Sequence, residues 1–241
     1  MSIKSNNLFP HILEDAHWQN VQGYTETQFS RSLVVYPRNI DDCHELLEKS
    51  IKRGYMVCCR GGGFTYGDMI LNENQIILDT KQMNKIIHWN SENGEIIVEP
   101  GVTIASILKL SLLHNRVLAS IPGGMDVTVG GAISNNVHGK DAWKNGNFGD
   151  HVISMKLLLS SGHKIEVSRN NNKELFYAVI GGMGLLGIIV EAKLQLQKIP
   201  SAYVIVSSTH SKDINESVDL LEKSEENSDF SVAWVDSFSK E

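Results

Sequence analysis

Residues 60–68 read RGGGFTYGD and follow a short apolar run, residues 55–59, that is typical of a buried strand. Three consecutive glycines can adopt the backbone angles that turn successive N–H groups toward one point. Such a nest binds an anion, most often a phosphate. A tight turn between two strands would use the same residues, and the spacing alone leaves both interpretations open.

A second glycine cluster lies in residues 121–140, IPGGMDVTVGGAISNNVHGK. Its small residues would let the backbone approach a flat ligand closely. Thr128 is also placed to cap a short helix that begins at Val129. Close packing between two elements is the alternative, and the cluster on its own favours it.

A third cluster, residues 182–187, spells G-x-G-x-x-G. A dinucleotide fingerprint needs a strand before these glycines, a helix after them and an acidic residue about 20 positions further on. Here a helix predicted over residues 173–180 comes first and the alternating strand IIVEAKLQLQ comes after it. The reversed order argues against a Rossmann NAD site and indicates a helix-to-strand turn that passes close to a ligand or a neighbouring element.

The remaining chain predicts an α+β fold, because hairpins are too frequent for a doubly wound sheet. Hairpins are predicted over residues 85–99 and 152–167, and helices from Asn39 to Gly54 and over residues 103–114. Strands are predicted over residues 76–78, 117–121 and 187–197. Beyond Pro200 we expect a strand over residues 203–207, an acidic helix over residues 213–226 and a strand over residues 230–235.

The charge of the chain is unevenly distributed. The 241 residues carry a formal net charge of -6, and residues 211–241, with three Lys and nine Asp or Glu, hold all of it. A neutral body with an acidic end lacks the basic patch of a nucleic-acid binder and does not favour an anionic membrane surface. We therefore expect no nucleic-acid partner, and no anionic membrane surface as the main partner.

Cysteine usage predicts a reducing, cytoplasmic compartment, because three cysteines, two of them adjacent, do not form a disulfide framework. The first residues lack the apolar segment of a secretory signal. The longest uncharged run, residues 175–190, is shorter than the ~20 apolar residues that a spanning helix needs. We expect no transmembrane segment, and peripheral membrane association stays open.

Four motifs, in this order, together resemble the FAD-binding domain of the vanillyl-alcohol oxidase/p-cresol methylhydroxylase (PCMH)-type flavoenzymes. They are RGGGFTYGD, IPGGMDVTVGGAISNNVHGKD, NFGDHVISMKLLLSSG and ELFYAVIGGMGLLGIIVEAKLQL. The resemblance extends over residues 20–200 and is strongest to the decaprenylphosphoryl-ribose 2-oxidase branch. It implies a PCMH-type fold with two α/β subdomains and mixed sheets. It also implies an FAD-binding domain over residues 1–199 and the beginning of an incomplete substrate domain over residues 200–241.

The same resemblance implies which residues hold FAD. The first loop would wrap the pyrophosphate through backbone N–H groups, the second cluster would line the flavin and its ribityl chain, and the start of the strand after the third cluster would contact the adenine end. The cofactor-binding residues implied are Arg60, Gly61, Gly62, Gly63, Phe64, Thr65, Tyr66, Pro122, Gly123, Gly124, Thr128, Gly130, Gly131, Ala132, Asn136, His138, Ile188 and Ile189.

Many relatives attach FAD covalently through a histidine in the first loop, in an R-x-G-G-H pattern. This sequence has Phe64 at that position. Because phenylalanine has no nucleophile, we expect FAD to be bound non-covalently.

The polar residues His138, Lys140 and Tyr66 are the catalytic candidates that the resemblance places beside the flavin, with Lys140 and Trp234 at the substrate pocket. An ordinary polar loop and a core tryptophan are the alternatives. The other histidines show no metal spacing, so no metal site is predicted.

The activity implied is oxidation of a sugar or polyol alcohol to a ketone, with a small or lipid-linked substrate and a partner reductase or epimerase as a further possibility. The branch uses a lysine base near its C-terminus, beyond these 241 residues, so we expect this chain to be inactive without that part. An aldonolactone or alditol oxidase and a non-catalytic FAD-binding module are the alternatives.

Overall fold

The computed structural model describes residues 16–236 and Phe238, and the first 15 residues of the predicted cofactor domain lie outside this part. The strands are β1 His17–Gln22, β2 Phe29–Val35, β3 Val57–Arg60, β4 Ile76–Asp79, β5 Ile86–Asn90, β6 Glu95–Val98, β7 Arg116–Leu118, β8 Val152–Leu158, β9 Lys164–Ser168 and β10 Ile188–Lys198. The helices are α1 Ile40–Lys52, α2 Ile104–Ser111, α3 Val129–Ser134, α4 Ala142–Asn145, α5 Lys173–Val179 and α6 Ile214–Glu225.

The first sheet has the strand order β1-β2-β4-β3 and is mixed, since β1 pairs antiparallel with β2 while β4 pairs parallel with β2 and β3. Helix α1 makes the crossover from β2 to β3. It begins at Asn39, whose side chain accepts hydrogen bonds from two backbone N–H groups of the first turn. Its apolar face places Leu46 fully inside a core with Leu33 and Leu78, so truncating Leu46 to alanine would cost about 2–5 kcal/mol.

The second sheet is antiparallel, with the strand order β5-β6-β10-β8-β9, and β7 pairs with the last residues of β10. Helices α2, α3 and α5 contribute to its core. The predicted α+β class and both predicted hairpins, β5–β6 and β8–β9, are therefore confirmed.

Strand β10 joins the two cores. Ile188 and Val190 belong to the core of the first sheet, whereas Ile189 and then Ala192 belong to that of the second. A register shift between Ile189 and Glu191 explains the change, because one extra residue turns the subsequent side chains to the other face. The bulge fixes the start of β10 between the two layers.

The chain beyond Pro200 departs from the prediction. Helix α6 is present, but residues 203–207 and 230–235 are not strands. A strand exists only where a neighbouring strand takes its N–H and C=O groups, and the described residues offer none here. Their apolar side chains remain exposed, and Trp234 is 95% exposed.

No helix among the described residues is both long and apolar enough to cross a membrane.

Candidate functional site

A cleft lies where the first sheet, α3 and the start of β10 meet, and all three glycine clusters contribute to it. Its wall consists of Cys59, Arg60, Gly61, Thr65, Met69, Ile70, Thr80, Pro100, Gly130, Gly131, Ser134, Asn135, Met183, Gly184, Gly187, Ile188 and Ile189. Seven of the predicted cofactor residues are in this wall: Arg60, Gly61, Thr65, Gly130, Gly131, Ile188 and Ile189.

The first glycine loop packs directly on the segment before α3. A Cβ at Gly61 would collide with Thr128 Oγ1, and a Cβ at Gly62 would lie 2.7 Å from the carbonyl oxygen of Asp126. Gly63 has φ +83°, a value that favours glycine. The fold itself therefore requires all three glycines, Gly61 and Gly62 for close contact with the segment before α3 and Gly63 for its backbone conformation, whether or not a ligand binds.

The backbone donors of this loop are free. Among the described residues, the N–H groups of Gly62, Gly63, Phe64 and Thr65 donate no hydrogen bond to another protein group. Adjacent unsatisfied N–H groups form a site for an anion, because a phosphate oxygen can accept several of them. This geometry favours the anion-binding nest over the simple turn.

A cationic cluster supports the loop from behind. Arg60 Nη1 lies 3.1 Å from Asp79 Oδ2, and Lys81 Nζ lies 3.4 Å from the same oxygen, with Asp79 buried. The Thr80 hydroxyl donates to the Arg60 carbonyl at 3.2 Å. Arg60 Nε is buried and has no hydrogen-bond partner among the described residues. Two cations share one carboxylate, so the cluster that contains the wall residue Arg60 carries a net positive charge, which favours an anion nearby.

Helix α3 is held at its N-terminus by protein groups. Thr128 accepts from Gly131 N–H at 3.3 Å, as predicted for a cap. The N–H groups of Val129 and Gly130 donate to the carbonyls of Val102 and Pro100, each at 2.8 Å. The first turn therefore has few donors left for a ligand, and its two glycines offer a surface without side chains instead.

The third glycine cluster lies at the other end of α3. Helix α5 precedes it and β10 comes after it, so the predicted reversal of the Rossmann order is confirmed. Gly181 N–H donates to the Ile133 carbonyl at 3.0 Å, and Met183 N–H donates to the Ser134 carbonyl at 2.8 Å. The turn therefore caps the C-terminus of α3 and closes one side of the cleft.

The remaining predicted residues are not in the cleft wall. Asn136 Oδ1 accepts from Gly149 N–H at 3.0 Å, so its side chain holds a neighbouring turn. Phe64 and Tyr66 are exposed, and both rings contact Tyr24. The other members outside the wall are Gly62, Gly63, Pro122, Gly123, Gly124, Thr128, Ala132, His138, Lys140 and Trp234.

Lys140 has a neighbour that the sequence did not reveal. The N–H group of Ser231 donates to the Lys140 carbonyl at 3.0 Å, and Lys144 Nζ forms an ion pair with Asp229 at 2.6 Å. The chain after α6 therefore lies along the segment that contains Lys140. His138 and Lys140 are both exposed there.

Several wall residues were not predicted, among them Cys59, Thr80 and Met183. Thr80 could have been found, because the parallel strands β3 and β4 end at the same edge of the sheet, so the residue after β4 must lie beside the first loop. Burial and the adjacent Cys58 raise the pKa of Cys59 to about 12, so this wall residue is a neutral thiol.

Residues 32–168 match the FAD binding domain family, and the chain belongs to this PCMH-type family of FAD-dependent oxidoreductases. The free N–H groups of the first loop and the unpartnered Arg60 Nε fit the pyrophosphate of such a dinucleotide.

Relatives within the family differ in what they are named for. Decaprenylphosphoryl-beta-D-ribose oxidase of Mycolicibacterium smegmatis is 34% identical over 189 residues, which cover 78% of this chain and 41% of the relative. L-gulonolactone oxidase of Mus musculus is 25% identical over 217 residues, 85% of this chain and 48% of the relative. D-lactate dehydrogenase of Archaeoglobus fulgidus is 28% identical over 170 residues, which cover 68% of this chain and 38% of the relative. The chain therefore spans less than half the length of these relatives.

Proposed function

We propose that this chain is the FAD-binding part of an oxidoreductase that oxidises a sugar or polyol CH–OH group to a ketone, and that it holds FAD non-covalently. The observation that carries the cofactor half of the proposal is the row of free N–H groups in the first loop, beside the cation of Arg60. Phe64, in the position where many relatives have an attachment histidine, has no group that could bond to the flavin.

In this proposal, different segments of the chain bind different parts of FAD. Gly61, Gly63, Phe64 and Thr65 donate backbone hydrogen bonds to the pyrophosphate, with Arg60 balancing part of its charge. The 122–124 and 130–132 segments, with Asn136, line the flavin and ribityl chain through backbone. Ile188 and Ile189 contact the adenine end.

The proposed substrate class rests on the similarity to decaprenylphosphoryl-beta-D-ribose oxidase, a protein named for a lipid-linked sugar. When bound, FAD supplies the chemistry of accepting a hydride from the substrate carbon. His138 and Tyr66 are the groups of this chain proposed to hydrogen-bond at the reacting end. Lys140, an exposed cation, would bind an anionic group such as the phosphate of a lipid carrier. No residue in the described part of the chain is assigned as the base.

Residues 200–241 are proposed to begin the substrate domain. Most of their described apolar side chains are exposed, the chain covers 41% of the relative's length, and residues 229–231 lie beside Lys140 and Lys144. In this arrangement Trp234 would become a pocket wall once further strands pair with residues 203–207 and 230–235.

A second candidate is an aldonolactone- or alditol-type oxidase, which the similarity to L-gulonolactone oxidase over 85% of this chain supports. A third is a module whose FAD is not used for catalysis.

The test begins with the purified chain. Titration of apoprotein with FAD should quench flavin fluorescence to a saturating 1:1 end point. Acid precipitation should then leave all flavin in the supernatant. Flavin that stays with the precipitate would contradict non-covalent binding, and failure to saturate would contradict the cofactor proposal.

The substrate proposal needs the polypeptide extended to the relatives' length. Anaerobic addition of a sugar alcohol should bleach the flavin band, and an added acceptor should restore it. A preferred response to an aldonolactone would favour the second candidate, and no response to either class would favour the third. In the same protein, Lys140→Ala should raise KM for a phosphate-bearing substrate about tenfold or more and leave KM for its phosphate-free analogue unchanged.

A further inference from the structure

Met183 has a backbone conformation that its residue type rarely adopts. Its φ is 54°, in the left-handed region, within a turn flanked by Gly181 and Gly184. Six described non-glycine residues have positive φ and four of them are asparagine, the side chain that best tolerates this region. Methionine has no such tolerance, so glycine would serve the turn better here.

The side chain gives little to the folded chain in return. Met183 is 53% exposed. The hydrogen bond that fixes the turn comes from its backbone N–H to the Ser134 carbonyl, which any residue but proline could donate. A strained position that carries a half-exposed apolar side chain calls for an explanation outside the packing of the protein itself.

The cleft supplies one. Met183 is part of its wall, with Met69, Ile70, Ile188 and Ile189 as further apolar members. A thioether is polarisable and flexible, and it packs favourably against aromatic rings. Met69, which is partly exposed in the same wall, extends the apolar surface on which a flat ring could lie.

We infer that Met183 is a cofactor-contact residue whose side chain packs against a heteroaromatic ring of bound FAD, and that the strain of the turn is kept for this contact. The inference rests on the proposed FAD binding. It assigns to the third glycine cluster a specific role in cofactor retention.

Replacing Met183 with glycine separates its effect on stability from its effect on FAD binding. The variant should keep or raise the stability of the apoprotein and should weaken FAD binding. Met183→Gly relieves the backbone strain, so the melting temperature of the apoprotein should stay the same or rise by a few degrees. The dissociation constant for FAD, measured by fluorescence titration, should rise about tenfold through loss of the ring contact. Neither readout needs turnover.

Two variants serve as controls. Asn115→Gly, at φ 52° outside the cleft wall, makes a similar backbone change and should leave the FAD dissociation constant unchanged. Met183→Leu keeps an apolar side chain of similar volume and should keep FAD affinity within about threefold.

Several outcomes would overturn the inference. One is that Met183→Gly binds FAD as tightly as the wild-type chain does. Another is a clear fall in the melting temperature of the Met183→Gly apoprotein, which would mean that the side chain stabilises the fold. Absence of FAD binding in the wild-type chain would instead reject the proposed function.

Discussion

Arg60 and Asp79 end two neighbouring parallel strands in register, and their ion pair fixes the start of the first glycine loop. Asp79 is buried, and its carboxylate also accepts the backbone N–H of Lys81 at 3.0 Å. The two cations, by contrast, keep some contact with solvent. The carboxylate is thus the member of the cluster whose loss the fold can least replace.

We expect Asp79→Asn to lower the free energy of unfolding of the apoprotein by about 1–3 kcal/mol, since it leaves Arg60 without its counter-charge. Urea unfolding measures this. Lys81→Met, which removes a half-exposed partner, should change it by about 1 kcal/mol or less. Equal effects of the two changes would contradict the buried carboxylate as the centre of the cluster.

Gly61 and Gly123 offer a comparison between a crowded and an open glycine. A Cβ at Gly61 would collide with Thr128, whereas a Cβ at Gly123 would meet nothing within 4 Å. Gly61→Ala should lower the apoprotein melting temperature by several degrees, since overpacking costs about 1–3 kcal/mol, and Gly123→Ala should leave it unchanged. If Gly123 lines the flavin as proposed, Gly123→Ala should still weaken FAD binding. Unchanged affinity would remove it from the site.

The partly buried thiol of Cys59 predicts a dependence of stability on alkaline pH. Burial, with a contribution from Cys58, raises its pKa from 9.0 to about 12. The unfolded chain therefore loses this proton first, so the thiol's contribution to stability is present below pH 9 and is lost as pH rises toward 12. Cys59→Ala should flatten the fall in unfolding free energy above pH 9 by up to about 1.4 kcal/mol per pH unit. If the unfolding free energies of wild type and Cys59→Ala fell in parallel above pH 9, the proposed contribution of the Cys59 thiol would be refuted.

At the scale of elements, α3 has six residues and is too short to be stable by itself. It persists because both ends are bonded to other segments. Thr128→Ala should lower unfolding free energy by about 1 kcal/mol, and Thr128→Ser, which keeps the capping oxygen, should recover most of it. Chemical denaturation of both variants measures this, and equal losses would show that the hydroxyl does not act as the cap.

Local patterns predicted most of the elements around the cleft. The cap at Thr128, both hairpins and the helix-then-strand order around the third glycine cluster can be derived from residue type and spacing. Strands β1 and β2 were not predicted. The bonds from Gly181 and Met183 to α3 could not be read either, because they join segments about 50 residues apart. Only the assembled fold brings such partners together.

The need for a partner from elsewhere in the chain also explains the error beyond Pro200. Residues 203–207 and 230–235 have a strand pattern, but a pattern states only which faces a strand would bury. Whether a strand forms depends on a partner, and the described residues provide none. His138, Lys140 and Trp234 stay predictions as site residues, because they lie outside the cleft wall that the described residues form.

At the scale of the molecule, the acidic segment after residue 210 makes few contacts with the rest of the chain, which has no net charge. Helix α6 has no buried residue, and its surroundings are joined to the body through Lys144–Asp229 and Ser231–Lys140. We expect a chain ending at residue 200 to keep its melting temperature within a few degrees and its FAD affinity within about twofold, because little apolar surface is lost with the end. A chain ending at residue 187, which lacks β10, should not fold, and this is the control. Loss of FAD binding by the chain that ends at residue 200 would mean that the acidic end belongs to the cofactor site.

The two-ended attachment of α3 also bears on how flavin is taken up and lost. Both of its ends are hydrogen-bonded to other segments of the protein, so we expect the cleft to keep its shape when FAD is absent. Little conformational entropy then has to be removed on binding, which favours affinity without a covalent tether. Flavin stripped from such a protein should return on simple mixing, without a refolding step, and exchange between free and bound pools should be reversible.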